Sequence, residues 1–185
     1  MRKVVLSQWI TFDGYSADMG TEVGAYMAGV EDPAQDAYFL QRVRSVGEHA
    51  MGSTTYTAMA GYWPTRDDDV AEVMNRLPKL VFSHNPDLPT PWGPVRLVTE
   101  DTAAAFAALK AEDGGDILVH GGNTFVHSLL TLDLVDELRL AVLPVAVGAG
   151  VPLFPDRGRL QRLRLLGTTA FPSGIQEVVL APERD

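Results

Sequence analysis

Two stretches set glycine beside hydroxyl or amide side chains where an apolar run gives way to helical spacing. One is Asp116 to Leu130, DILVHGGNTFVHSLL, in which Gly121-Gly122 follows Ile117-Leu118-Val119-His120 and precedes Asn123, Thr124 and Phe125. The other is Gly52-Ser53-Thr54-Thr55-Tyr56, following the short strand Glu48 to Met51. Glycine lets the chain turn sharply and lets a ligand approach closer than a Cβ would permit, and the first N–H groups of a new helix lack intrahelical partners. Such turns suit an anion, phosphate above all, although each also serves as a plain strand-to-helix connection. A third candidate is Asp36, whose spacing with Phe39, Leu40 and Val43 predicts a carboxylate on the apolar face of a helix. There it either complements the dipole of the first turn or, lifted out of water beside a pocket, holds or relays a proton.

The composition narrows the chemistry. A chain of 185 residues is most economically one domain, residues 1–185, able to bury roughly 70% of its unfolded surface. The absence of cysteine excludes disulfides and thiolate zinc sites, fits a cytoplasmic protein, and leaves no metal site to expect. A formal charge of −9 argues against a nucleic-acid partner, so any phosphate site must be local, built from backbone dipoles and a few side chains. No apolar run approaches the ~18 residues of a membrane span, and no targeting segment or internal repeat is expected.

The elements that must position these residues follow in order. Arg2 to Ile10 reads as a buried first strand, ended by Thr11-Phe12-Asp13-Gly14. Tyr15 to Asp32, with Gly20, Gly24 and Gly29, reads as a long loop of the kind that closes over ligands, where Trp9, Tyr15 and Tyr26 could line an aromatic pocket. Asp32 then caps a helix that Pro33 begins. Glu48 to Met51, Lys79 to Ser83 and Val95 to Val98 are strands, with helices after Gly52 and from the acidic run to Leu77. Asp101 or Thr102 caps Ala103 to Ala111, and the helix after Gly122 runs to about Leu132. Leu138 to Val147, Gln161 to Thr169 and Ile175 to Leu180 are further strands, and Pro182 to Asp185 a frayed tail. Helices alternating with strands as far as about residue 135, then strands alone, predict an α/β fold of three layers. Its mixed, mostly parallel central sheet is flanked by helices, with an antiparallel C-terminal edge.

These motifs in this order resemble the dihydrofolate reductase superfamily. The resemblance rests on Phe12-Asp13-Gly14, on Met51 to Tyr56, on Val81-Phe82-Ser83 and on Ile117 to Phe125. The chain is more closely similar to the reductase domain of the bifunctional riboflavin-biosynthesis deaminase-reductase, through Leu134-Val135-Asp136-Glu137-Leu138-Arg139, Pro144 and Gly148 to Phe154. The resemblance implies a reductase that binds NADPH across the sheet and transfers hydride to a C=N or C=O of a pteridine- or aminopyrimidine-like substrate. It implies that Gly121, Gly122, Asn123, Thr124 and Phe125 meet the pyrophosphate, with Gly52, Ser53, Thr54 and Thr55 at the second turn. It further places Ser83 and His84 near the adenosine ribose, Trp9, Ser16 and Ala17 beside the nicotinamide, Asp36 as the substrate-side acid, and a homodimer through the C-terminal strands.

Two departures from the family pattern bear on the cofactor. Ser53 and His84 stand where the family commonly carries arginines, the side chains best suited to a 2′-phosphate. NADH is therefore expected beside NADPH, with Lys79 and Arg66 as alternative cations. The same residues would fit a non-catalytic nucleotide- or small-molecule-binding protein that retains the fold.

Overall fold

The computed structural model describes residues 1–183. Eight strands form one mixed sheet: β1 (Val4–Thr11), β2 (Glu48–Gly52), β3 (Lys79–Phe82), β4 (Val95–Val98), β5 (Ile117–His120), β6 (Glu137–Leu143), β7 (Leu163–Ala170) and β8 (Gln176–Pro182). Their order is β4-β3-β2-β5-β1-β6-β8-β7, parallel from β4 to β6 and antiparallel at β8 and β7. The helices are α1 (Glu22–Ala28), α2 (Pro33–Arg44), α3 (Ser53–Tyr62), α4 (Asp69–Arg76), α5 (Thr102–Ala111) and α6 (Asn123–Thr131). None among the described residues is long and apolar enough to cross a membrane.

Strand alternation divides the core into two layers. On one face Leu80, Phe82, Val119 and Leu138 pack against Phe106 and Leu109 of α5 and Val126 and Leu129 of α6. On the other, Val81, Leu118 and Met51 meet Val43 of α2, Tyr56 of α3 and Val73 and Met74 of α4. The three-layer expectation holds, and the long apolar run beginning at Leu138 is an interior strand between β1 and β8 that stops at Leu143. Pro182 ends β8, so the tail expected from Pro182 narrows to Glu183 within the described residues; Arg184 and Asp185 lie outside them.

The segment expected as one long loop from Tyr15 to Asp32 contains a helix. Thr21 caps α1, accepting from the Gly24 amide, and Val23 packs into a third cluster with Ala141, Leu143, Phe171 and Ile175. The glycines mask this helix in the sequence, but Gly24 is required by packing, since a Cβ there would lie 2.3 Å from the Asp18 carbonyl oxygen.

The first aromatic layer sits under the ends of the strands. Phe82 and Phe106 stack with centroids 5.0 Å apart, and Phe125 closes on Phe82 at 4.9 Å. Phe106→Ala is expected to destabilise the fold by about 3–5 kcal/mol, measured by urea unfolding, and to withdraw the backing from Phe125 at the start of α6.

Candidate functional site

β2 and β5 are neighbours, yet the chains leaving them go to opposite faces: α3 to the layer with α2 and α4, and α6 to the layer with α5. Gly52 is the N-cap of α3 and Gly122 that of α6, and neither supplies a side-chain cap. Two helix starts with unpartnered N–H groups therefore open on one cleft at the carboxyl edge of the parallel strands, where α/β sheets bind ligands. The two turns touch. A Cβ on Gly122 would lie 2.7 Å from Thr55 Oγ1, and one on Gly52 would lie 3.4 Å from Phe125 Cβ. Gly121 and Gly122 have φ of 27° and 83°, so the second needs glycine for its backbone as well as for its neighbour.

The residues expected to meet a cofactor gather here in part. Gly52, Ser53, Thr54 and Thr55 share this cleft with Gly121, Gly122, Asn123 and Thr124. Phe125 contributes its place in the first turn, while its ring belongs to the aromatic core. Ser83 follows β3 at the same carboxyl edge, its hydroxyl accepting from the Asn85 amide, and His84 is exposed beside it. Ser16 and Ala17 lie along β1 beyond the last β1–β5 pair, with Ile10 bridged to Ser16 and the Ala17 amide donating to the Trp9 carbonyl at 3.0 Å. Asn123 Nδ2 donates to Asp18 Oδ2 at 2.8 Å, tying this segment to α6. The alternative cations are elsewhere. Lys79 opens β3 at the opposite edge, donates to the Asn75 and Gly93 carbonyls and lies 4.3 Å from the Trp92 ring centroid, and Arg66 pairs with Asp68 at 2.8 Å.

Asp36 does not occupy the apolar face. It is exposed, whereas Gln35, Tyr38, Phe39 and Arg42 line a pocket against the sheet and Val43 is buried in the core beside it. The helix is set by its cap: Asp32 is buried, accepts from the Ala34 and Gln35 amides, and takes a third bond from the Ser173 amide. That anchor rotates the 35, 38, 39 and 42 positions inward and leaves Asp36 about 100° away from Gln35. Between α2 and the sheet lies a small pocket lined also by Ser7, Trp9, Arg139 and Glu177. Trp9 thus joins the aromatic wall expected of it, together with Tyr38 and Phe39 rather than Tyr15 and Tyr26. A larger cavity, lined by Leu130, Leu138, Phe154 and Leu163, opens away from the turns on the other side of the C-terminal strands.

Beneath Gly121 the sheet carries a buried histidine pair that the sequence reading missed. His120 Nε2 lies 2.6 Å from His49 Nδ1, and His49 Nε2 has no partner. Burial pushes His120 down to about 4, and burial, with the charges of His120 and Lys79, pushes His49 down to about 2. The polar alternation of His49 and His120 with apolar neighbours was the available signal.

Over residues 2–177 the sequence matches the family described as the RibD C-terminal domain. The chain belongs to this family. It is 26% identical over 183 residues to YyaP, an uncharacterized protein of Bacillus subtilis strain 168, covering 96% of this chain and 94% of that protein. It is similar in structure to a Shewanella sp. PV-4 protein named for riboflavin biosynthesis, with TM-score 0.79, 22% identity, and 98% and 99% of the two chains covered. It is also similar to the dihydrofolate reductase of Enterococcus faecalis solved with NADP(H), with TM-score 0.64, 12% identity, and 98% and 97% covered. These likenesses establish a dihydrofolate reductase-like fold.

The histidine pair has a measurable consequence. Both rings are neutral in the fold, whereas in the unfolded chain each takes a proton below about pH 6.5. Their contribution is present above that pH and is lost as pH falls toward about 4. His49→Leu is expected to make the acid-side decline shallower by about 1.4 kcal/mol per pH unit between about pH 6 and 4, measured by urea unfolding across that range.

Proposed function

We propose that this member of the RibD C-terminal domain family is a nicotinamide-dinucleotide-dependent reductase. It moves hydride to a C=N or C=O carbon of a small heterocycle of the pteridine or aminopyrimidine kind. The observation that carries the reading is the contact between the Gly52 and Gly122 turns, which puts two helix N-termini on one cleft from opposite faces. A dinucleotide pyrophosphate is the ligand such a cleft fits. The family and the fold shared with a reductase solved with NADP(H) support it. NADPH is the first candidate and NADH the second, because Ser53 and His84 bring no fixed cation for a 2′-phosphate.

In this reading the backbone turns hold the phosphates, and Ser16, Ala17 and Trp9 flank the nicotinamide. Its reactive face looks toward the side of the sheet covered by α2, from which the acceptor approaches. The dinucleotide would supply the hydride and solvent the proton; the chain supplies position.

Calorimetric or fluorescence titration is expected to show NADPH or NADH binding tighter than ~1 mM. Gly122→Ala is expected to weaken it at least about tenfold, since the new Cβ meets Thr55 and strains the backbone. Failure of both dinucleotides to bind overturns the reading. Binding without consumption in the presence of dihydropterins or aminouracils favours the non-catalytic alternative.

The same proposal extends to assembly as a homodimer. β7 is an edge strand whose Leu165 and Leu166 are exposed, with Leu160 and Phe154 exposed nearby in sequence, and such an edge invites pairing. Light scattering is expected to give about twice 20.1 kDa; a monomer mass would remove the dimer.

A further inference from the structure

Gln8 is a buried polar side chain that the fold leaves without a partner. It is 7% exposed, stands between Leu6 and Ile10 on the face of β1 covered by α5 and α6, and makes no side-chain hydrogen bond among the described residues. Ser7 pairs with His120, so Gln8 comes next to Gly121: its Oε1 and Nε2 lie 3.5 and 4.0 Å from where a Cβ on that glycine would be. Among the described residues His49 Nε2 and Arg139 Nη1 are the partnerless side-chain atoms sealed from solvent. The Gln8 carboxamide therefore still reaches solvent, and the space a Cβ would fill at Gly121 is the gap beside it. A carboxamide buried without hydrogen bonds costs stability that an apolar side chain does not.

A second polar group stands at the same turn. Asn123 Nδ2 donates to Asp18 Oδ2 at 2.8 Å, and Oδ1 of that carboxylate has no partner among the described residues. Asp18 is held from behind as well. Its carbonyl accepts from the Thr21 amide at 3.1 Å and from the Thr21 hydroxyl at 2.6 Å, and Gly24 packs against it. The carboxylate is thus a fixed acceptor on the β1 side of the α6 start, while the Thr55 hydroxyl flanks the β2 side. This asymmetry gives the cleft a direction. N–H and hydroxyl donors favour a phosphate on the β2 side, and a carboxylate repels one on the β1 side. A sugar suits the β1 side: its vicinal hydroxyls both donate and accept, matching an acceptor-only carboxylate near a carboxamide that offers both.

Resting on the reductase reading, we propose that Gln8 and Asp18 seat the ribose of the nicotinamide half of the dinucleotide. Asp18 accepts from one ribose hydroxyl and Gln8 pairs with the other. The pair sets which way the dinucleotide lies, with its pyrophosphate over the contact between the Gly52 and Gly122 turns and its nicotinamide toward β1. Gln8 is thereby a binding residue kept at the expense of the core it sits in.

ADP and ADP-ribose differ by the sugar in question, so calorimetric titration of both into the full chain isolates it. ADP-ribose is expected to bind at least about tenfold tighter than ADP. Gln8→Leu and Asp18→Ala are each expected to cut that advantage to about threefold or less. ADP itself is expected to bind Gln8→Leu unchanged, and Asp18→Ala as tightly as before or tighter, since a negative charge near the phosphates is gone. Gln8→Leu is also expected to melt at the same temperature or higher, because an apolar group replaces a polar one without partners; a structural glutamine would move the midpoint the other way. An advantage of ADP-ribose that is missing from the natural chain, or that survives either substitution, overturns the proposal. So does a lower melting temperature for Gln8→Leu, or loss of ADP binding in parallel with ADP-ribose, each of which marks a structural role. NADPH and NADH titrated into the natural chain separate the two readings. If neither binds, the reductase falls and the sugar seat with it; if one binds while ADP-ribose gains nothing over ADP, only the sugar seat falls.

Discussion

The structure depends on one close approach: Gly122 against Thr55, and Gly52 against Phe125. β2 and β5 pair along their length, then part to opposite faces, and glycine at 122, where φ is 83° and a Cβ would meet Thr55, lets the two helix starts stay in contact while they diverge. The Phe82–Phe106–Phe125 stack holds this parting from below, so the apolar layer and the polar cleft are parts of one arrangement. Adjacent strand ends give the cleft its place; the absence of side-chain caps leaves its N–H groups available.

The second theme is polar burial on the α2–α3–α4 face. Lys79, His49, His120, Arg139, Glu137 and Glu177 all lie there at low exposure. Some are answered locally, as Lys79 is by two carbonyls and a tryptophan ring, and burial still draws its ammonium down to about 8. Others are not: among the described residues His49 Nε2 and Arg139 Nη1 are buried without a partner.

Much of this was legible in the sequence. Alternating helices and strands followed by strands alone gave the mixed sheet, and glycine before hydroxyl or amide residues marked both turns at their true positions. Asp32 and Pro33 marked the start of α2 for the reason they cap it. Asp36 is exposed and not on the apolar face, because apolar spacing cannot say which neighbouring stripe a helix presents. The bond from Ser173, 141 residues away, fixed that choice. The acid that strand alternation does bury is Glu177, which in Ile175-Gln176-Glu177-Val178-Val179 turns inward with Ile175 and Val179. The helix at Glu22 was hidden because Gly24 answers to a long-range steric demand that composition reads as flexibility.

The strand order also bears on how the chain comes to be folded. β1 is made first, but its two neighbours are β5 and β6, which begin at Ile117 and Glu137. During synthesis β1 must wait, without a sheet partner, until roughly a hundred further residues, as far as β5, have emerged. Such non-local pairing makes folding slow and leaves an unpaired hydrophobic strand exposed meanwhile. The central strand of the finished sheet is thus the most vulnerable piece of the nascent one.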